Sequence, residues 1–377
     1  MDVNKKRLVI VFSGFNQRAV ISFLRTMETK KINYVIIATS KNDDIFLTKY
    51  KEKVAVIRKY TSLVLDDLLL SIKKIKAEKK ENEFIIAPTT EALNRFLLEN
   101  RKKFEELGCI IPLVKKELYE LISDKYSFGE LCKKNEILVP EEVKLSGEIV
   151  FPIVAKPKKY FSIDKGESLF PIIIKNYMDY EMFYKKCNVE DFYYQKYIRG
   201  RSFYLLYYYN RNGEIYKFSQ ENLVQQPNGK SILAAISSDI HNSEESYKYE
   251  VMFKKLDYYG FAMIEIKQNK GKNYMIEANP RFWGPSQLFV DAGINFFEVF
   301  LNDYGIIESI PKFENIKDST RYFWFGGLIN TIKNNMNLTY YNISENSFLN
   351  YIHIWLKNDI YKRDDTIEIF RKEFLNG

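Results

Sequence analysis

In the segment 261–285, FAMIEIKQNKGKNYMIEANPRFWGP, two acids, an amide and an arginine follow one another at strand spacing. Side chains alternate across a strand, so Glu277 and Asn279 share a face. If the connecting loop is the five residues 269–273, Gln268 pairs with Tyr274 and Glu265 lies directly opposite Glu277 on that face. A loop of four residues would put the two acids on opposite faces. In the first register two carboxylates and an amide oxygen converge, while Ile264, Ile266 and Ile276 face the core. Like charges opposite each other destabilise a sheet, so this pairing asks for a cation. Hard oxygen donors of this kind suit Mg²⁺ (or Mn²⁺) carrying phosphate groups. Without the cation the acids should repel, and Glu277→Gln should leave metal-free stability unchanged or slightly raised. The alternative is an ordinary half-exposed hairpin with its acids in water.

Three further positions could serve phosphate chemistry. Lys156 ends the apolar run FPIVAK and is followed by Pro157, so its ammonium can meet a phosphate at a cleft edge or simply be solvated. Lys125 follows Asp124 at a helix start, where anions are favoured, although a surface helix lysine reads the same way. Arg281, beyond Asn279 and Pro280, is placed for a carboxylate or a phosphate. The stretch Gln195-Lys196-Tyr197-Ile198-Arg199-Gly200 leaves a strand and breaks at glycine, a hinge that could offer backbone groups to an adenine edge.

The elements that must position these side chains divide the chain. Apolar runs at 8–12, 34–38, 54–57 and 84–87 each precede a helical pattern, the last followed by a helix start at Thr89-Thr90-Glu91. Such alternation argues for a parallel, Rossmann-like sheet. The turn after the first run, Ser13-Gly14-Phe15-Asn16, has one glycine and not the GxGxxG of a dinucleotide site. Residues 112–143 read as helical, with Ser123 or Asp124 as a cap before 125–132. After Pro140 the texture becomes β, with strands at 151–156 and 192–197. A hairpin is expected about Asn210-Arg211-Asn212-Gly213 and a second about 268–273. Beyond Gly305 a helix-rich tail follows, whose role the sequence does not reveal.

Length and composition bound the function. A chain of 377 residues exceeds a single core, so at least two packed units are expected. No apolar run approaches the roughly 20 residues of a membrane span, and the first twelve residues suit a strand better than a signal peptide. A cytoplasmic protein is expected. The net charge of +8 is spread among acids, so nucleic acid is not an expected partner. Three cysteines without CxxC spacing argue against a zinc site or disulfide framework, and two histidines leave few bases for triad chemistry.

Lys125 in SDKYSF, Lys156 in FPIVAKP, the QKYIRG hinge, and Glu265, Glu277, Asn279 and Arg281 in MIE…MIEANPR stand in the order and rough spacing of the ATP-grasp enzymes. Through NPRFWGPS followed by DAGINF, the chain most resembles the carbamoyl-phosphate-synthetase-like, ATP-dependent carboligase (carboxylate–amine ligase) branch. The likeness covers about residues 115–305. It implies an α/β plus α+β chain with a Rossmann-like pre-ATP-grasp domain over 1–112 and a two-lobed ATP-grasp domain over 113–305. The lobes would be about 113–192 and 193–305, with a helix-rich extension at 306–377. It also implies that Lys125 and Lys156 contact ATP phosphates and that Gln195, Lys196, Tyr197 and Ile198 line the adenine. Glu265, Glu277 and Asn279 would hold Mg²⁺, and Arg281 would stabilise a carboxylate as it becomes an acyl phosphate. The implied activity joins a small carboxylate to an amine, without nucleic acid or membrane, and a homodimer is compatible with it. Bicarbonate chemistry like that of carbamoyl-phosphate synthetase or a carboxylase, or a non-catalytic nucleotide-binding role, are the alternatives. The chain also departs from the family's pattern. Segment 158–169 holds only Gly166 where relatives are glycine-rich, Gln195 replaces a frequent Glu, and Ser202 stands at the ribose-binding acid's position. Glu221 and Asn222 precede Pro227-Asn228-Gly229 where many relatives have basic residues before Pro-Gly-Gly.

Overall fold

The computed structural model describes residues 7–145, 148–162, 168–313 and 316–376. The leading sheet contains β1 (Arg7–Phe12), β2 (Tyr34–Ala38), β3 (Val54–Ile57), β4 (Glu83–Ile86) and β5 (Cys109–Ile110). All pairs are parallel, in the order β3-β2-β1-β4-β5. Burial of β2 along its whole length explains why it reads as an unbroken apolar run: helices cover both faces. The four anticipated strands are all present, and β5 adds a short fifth that the sequence did not signal. In the turn after β1, Gly14 has φ 91°, and a Cβ there would lie 2.0 Å from Thr39 Oγ1. Protein fills that turn, with Ser13 Oγ donating to Asp43 and Thr39 Oγ1 donating to the Ser13 carbonyl.

The expected helical stretch after Pro112 is two helices, Lys116–Ser123 and Lys125–Lys134, broken at an extended Asp124. Asp124 makes no side-chain cap bond to the helix it precedes. Its carboxylate instead accepts from Arg95 Nη2 of the leading unit at 2.5 Å. A small antiparallel sheet follows, with β6 (Ile153–Pro157) between β7 (Ile172–Ile174) and β8 (Phe192–Lys196). Because β8 belongs to this sheet, the lobe boundary anticipated between 192 and 193 cuts into its third strand, and the small sheet runs on to Lys196. The glycine-poor segment is only partly described, since residues 163–167, with Gly166, lie outside the described residues.

The large sheet is antiparallel. Its strands are β9 (Arg201–Tyr209), β10 (Ile215–Gln225), β11 (Ile232–Ser238), β12 (Gly260–Asn269), β13 (Lys272–Asn279), β14 (Arg321–Phe323) and β15 (Thr339–Tyr340). They run β13-β12-β9-β10-β11-β14, and β15 joins β10. The first anticipated hairpin is present: Asn210 Oδ1 accepts from the N–H groups of Asn212 and Glu214, and Tyr209 pairs with Ile215. The stretch after Gly305 contributes two strands to this sheet as well as helices. Among the described residues, no helix is long and apolar enough to cross a membrane.

A shared aromatic core joins the leading unit to the large sheet. Phe23, on the helix Gln17–Thr29, lies 5.1 Å from both Phe282 and Phe297, and Phe261 packs on Phe282 at 4.9 Å. Offset and edge-on ring pairs add to the burial that holds such an interface. Asn16 Nδ2 donates to the carbonyls of Thr89 and Phe282, and the Phe282 N–H donates to the Pro88 carbonyl. The turn that follows Asn279 is thereby clamped by the leading unit, which fixes where Arg281 emerges.

Candidate active site

The β12–β13 hairpin turns on two residues, Lys270 and Gly271, with φ of 47° and 76°. This is shorter than the five-residue loop anticipated. Positive φ at both central positions matches the primed turn that suits the twist of paired strands. Near the turn Asn269 pairs with Lys272 and Ile266 with Met275, a register that would by itself send the two acids to opposite faces. A β-bulge restores them. Beyond Ile266 the pairing shifts by one residue, leaving Ile276 unpaired and setting Glu265 opposite Glu277 and Met263 opposite Asn279. The facing pair is thus present by a different route. Met275 is buried in the core, and Ile276, expected in the core, lines the cleft.

That cleft, about 1120 Å³, lies between the two sheets of the later chain and the loops of the leading unit. Lys125, Lys156, Gln195, Glu265, Glu277 and Arg281 all border it. Lys125 Nζ is 2.8 Å from Glu277 Oε2, and Asn279 Nδ2 donates to Glu277 Oε1 at 2.8 Å. Burial alone would raise the Glu277 carboxyl, but Lys125 and these hydrogen bonds hold it down at about 2. Lys125 is kept above its usual range, because Glu277 and Glu91 outweigh the burial that opposes its charge. Lys156, only 5% exposed, donates to the Ile276 carbonyl at 2.8 Å. Burial first, and the Lys125 charge second, lower Lys156 to about 8.

Glu265 is held less firmly. Burial raises its carboxyl, Lys267 opposes, and Glu277 adds to the rise. The Lys267 ammonium is 3.3 Å from Glu265 Oε1, but without hydrogen-bond alignment. The two facing acids are therefore not left to repel each other in the metal-free chain, because each has its own lysine. The expectation that Glu277→Gln leaves metal-free stability unchanged is corrected by this: the substitution would strand Lys125.

The remaining sequence candidates sort by position. Gln195 is buried at 3% exposure, and its Oε1 has no hydrogen-bond partner. Lys196 borders the cleft, but its ammonium is paired with Glu141 at 2.6 Å and its N–H with the Glu141 carbonyl. Tyr197 and Ile198 border the cleft, and the Tyr197 N–H is bonded to the Pro152 carbonyl. Gly200 is required by close approach, since a Cβ there would lie 1.9 Å from the Gln268 carbonyl oxygen. Ser202 is fully buried beside Asn222, whose Nδ2 it accepts at 3.1 Å, and does not border the cleft. Arg281 donates to Asn279 Oδ1 at 3.3 Å and to the Phe282 carbonyl at 2.8 Å.

Sequence reasoning missed Lys267, Lys230, Glu91 and Tyr341, which all border the cleft. Lys267 could have been found, because two residues beyond Glu265 an alternating strand returns to the same face. No local signal marks Tyr341, which arrives from the C-terminal stretch. Among the described residues no group of three His, Cys, Asp or Glu side chains gathers as a metal nest. The oxygen donors on offer are the two carboxylates and the Asn279 amide, a hard set that fits Mg²⁺ or Mn²⁺.

No protein-family model and no curated protein matches the chain. Solved structures do. The ADP complex of an N5-carboxyaminoimidazole ribonucleotide synthetase is similar at TM-score 0.62 and 14% identity, over 87% of this chain and 84% of that one. An L-amino acid ligase from Bacillus licheniformis is similar at TM-score 0.54 and 16% identity, over 82% of this chain and 77% of that one. Rhizobium etli pyruvate carboxylase matches 84% of this chain at TM-score 0.60 and 16% identity, and the chain spans 30% of that enzyme's length. These are ATP-grasp proteins, and the chain has the ATP-grasp fold.

Proposed function

We propose that the chain is an ATP-dependent carboxylate–amine ligase. The observation that carries this reading is the cluster of Lys125, Glu277 and Asn279 on one side of a cleft, facing Glu265, with Lys156 and Arg281 beside it. Phosphoryl transfer depends mainly on positioning and on charge neutralisation, and this cluster supplies fixed cations and hard oxygen donors. A substrate carboxylate oxygen attacks the γ-phosphorus of ATP, the bond to the β,γ-bridging oxygen breaks, and ADP leaves. An amine nitrogen then attacks the acyl carbon, phosphate departs, and the amine gives up a proton as the amide forms. Lys125 and Lys156 neutralise the phosphates, and Arg281 holds the carboxylate through its fork. Gln195 Oε1, buried without a partner, is an acceptor for the exocyclic amine of adenine in a pocket bordered by Lys196, Tyr197 and Ile198. Ser202 is left out of the nucleotide set because it is buried beneath Asn222. Glu265, Glu277 and Asn279 would hold Mg²⁺, whose contribution is to neutralise charge on the transferred phosphoryl group. The reading has the chain act on small molecules in the cytoplasm. A homodimer goes with it, since the biotin carboxylase domain of Hydrogenobacter thermophilus 2-oxoglutarate carboxylase is a dimer.

A second reading, carboxylation with bicarbonate, is favoured by the carboxylases among the similar structures. An ADP-release screen over a matrix of carboxylates and amines with Mg²⁺ separates the two. Turnover that needs both partners, with hydroxamate formed when hydroxylamine replaces the amine, supports the ligase. Turnover with bicarbonate supports the second reading. Mg-ADP should also raise the melting temperature by mass action, and Lys156→Ala should remove most of that rise. No ADP release from any pair, together with no nucleotide-induced rise, would sink both readings.

A further inference from the structure

A nearly buried lysine in the cleft has no part in the chemistry just described. Lys267 lies two residues beyond Glu265 on β12 and is 7% exposed. Its ammonium stands 3.3 Å from Glu265 Oε1 and 3.8 Å from the centre of the Tyr341 ring. Tyr341 follows β15, and its hydroxyl is anchored on Gln225 Oε1 at 2.7 Å. Burying a long lysine costs side-chain entropy and hydration. The ring face offsets part of that cost by its attraction for a desolvated cation. The fold thus delivers an ammonium, on an aromatic support, to one oxygen of a carboxylate that borders the proposed phosphate site.

Charge indicates what this ammonium does. Lys125, Lys156, Lys267 and Arg281 border the cleft together with Glu265 and Glu277. Glu91 is already matched by Arg95 at 3.0 Å, and Lys230 is exposed at the lip. A nucleoside triphosphate brings roughly four negative charges, and one divalent cation leaves these inner groups close to neutral, while Arg18, Lys175, Lys186 and Asp179 on the cleft wall add a further net positive charge. A second divalent cation would add two more unmatched positive charges beside Lys156 and Lys267, which are themselves nearly buried, and that is unfavourable at reduced dielectric. We infer that the site takes one divalent cation with its nucleotide, because Lys267 stands on Glu265 where a second ion would otherwise bind. The inference rests on the ATP reading above.

Counting tightly bound Mn²⁺ by electron paramagnetic resonance tests it, with a non-hydrolysable ATP analogue at saturation. Binding of the analogue is followed separately, by displacement of a fluorescent nucleotide. The wild-type chain should hold one ion, Lys267→Arg one, and Lys267→Met two, with Lys267→Gln as a second charge-free variant. Two ions in the wild type overturn the inference while leaving the nucleotide reading intact. One ion in both charge-free variants, with the analogue bound, does the same. Failure of the analogue to displace the probe overturns the nucleotide reading, and the inference with it.

Discussion

Glu277 and Glu265 are cross-strand partners on adjacent strands, yet their surroundings differ. Glu277 has one oxygen on Lys125 and the other on Asn279, both at 2.8 Å, and its carboxyl is held at about 2. Glu265 has one cation, Lys267, at 3.3 Å without good alignment, and burial raises it. A carboxylate with a close cation on one oxygen and an amide hydrogen bond on the other is pre-organised and firmly ionised. One that meets a cation by charge alone is easier to re-partner. On this comparison the Glu277 side is a fixed anchor, and the Glu265 side is where an incoming ion can change the arrangement.

The largest expected effect is from Glu277→Gln. It leaves the Lys125 ammonium buried beside an amide, and breaking a buried pair from one side is costly. Metal-free urea melts should show a loss of about 3 kcal/mol, and Mg²⁺-dependent turnover should collapse. A loss below about 0.5 kcal/mol would mean that Lys125 re-pairs freely and that the anchor description fails.

Glu373, near the end of the chain, extends the same comparison to a carboxylate with no cation in contact among the described residues. Its two oxygens accept from Trp324 Nε1 at 3.1 and 3.2 Å. Burial and the nearby Asp359 and Asp44 raise it to about 7, against the partial opposition of the indole N–H and of Arg18. An acid with a raised folded pKa binds its proton more tightly when folded. Its stabilising contribution is therefore complete below the ordinary carboxylate range and is lost as pH rises through about 7. Stability should fall by on the order of 2 kcal/mol between pH 5 and pH 8. Glu373→Gln, which still accepts from Trp324, should flatten that slope, and an unchanged slope would assign it to other groups.

The smallest effect is expected at Glu265→Gln. The substitution leaves Lys267 without its acid, but the Tyr341 ring still supports the ammonium and the burial cost of the Glu265 charge is relieved, so metal-free stability should change by less than about 1 kcal/mol. Mg²⁺-dependent turnover should nonetheless fall steeply. Equal stability losses at Glu265 and Glu277 would erase the distinction between the two sides.

Much of this was legible in the chain itself. The four apolar runs of the leading sheet and the Asn210 hairpin follow from short-range rules of burial and turn chemistry and appear where those rules put them, although the edge strand β3, expected to be buried, is buried only at Val56. The EANPR segment, with Lys125, Lys156 and Gln195, was marked by residue type and order. Legibility failed where a distant partner decides. The length of the β12–β13 turn was misjudged because Asn269 to Asn273 all carry turn-compatible side chains, so composition does not say which two of them make the turn. The role of the C-terminal stretch was invisible because β14, β15 and Tyr341 acquire meaning only against β11, β10 and Lys267.

By itself the sequence determined the strand and helix periods, the turns that asparagine and glycine permit, and the supply of acids and lysines for one cleft. Each depends on residues close along the chain. Tertiary structure alone decided the bulge at Ile276, which sends Met275 into the core, offers its own carbonyl to Lys156 and turns Glu277 toward Glu265. It also decided that Lys125 meets Glu277, that Arg95 takes Asp124 and that Tyr341 supports Lys267. A strand's faces exchange with every inserted residue. Where the extra residue goes is settled by what waits across the sheet and the cleft, and no local rule contains that.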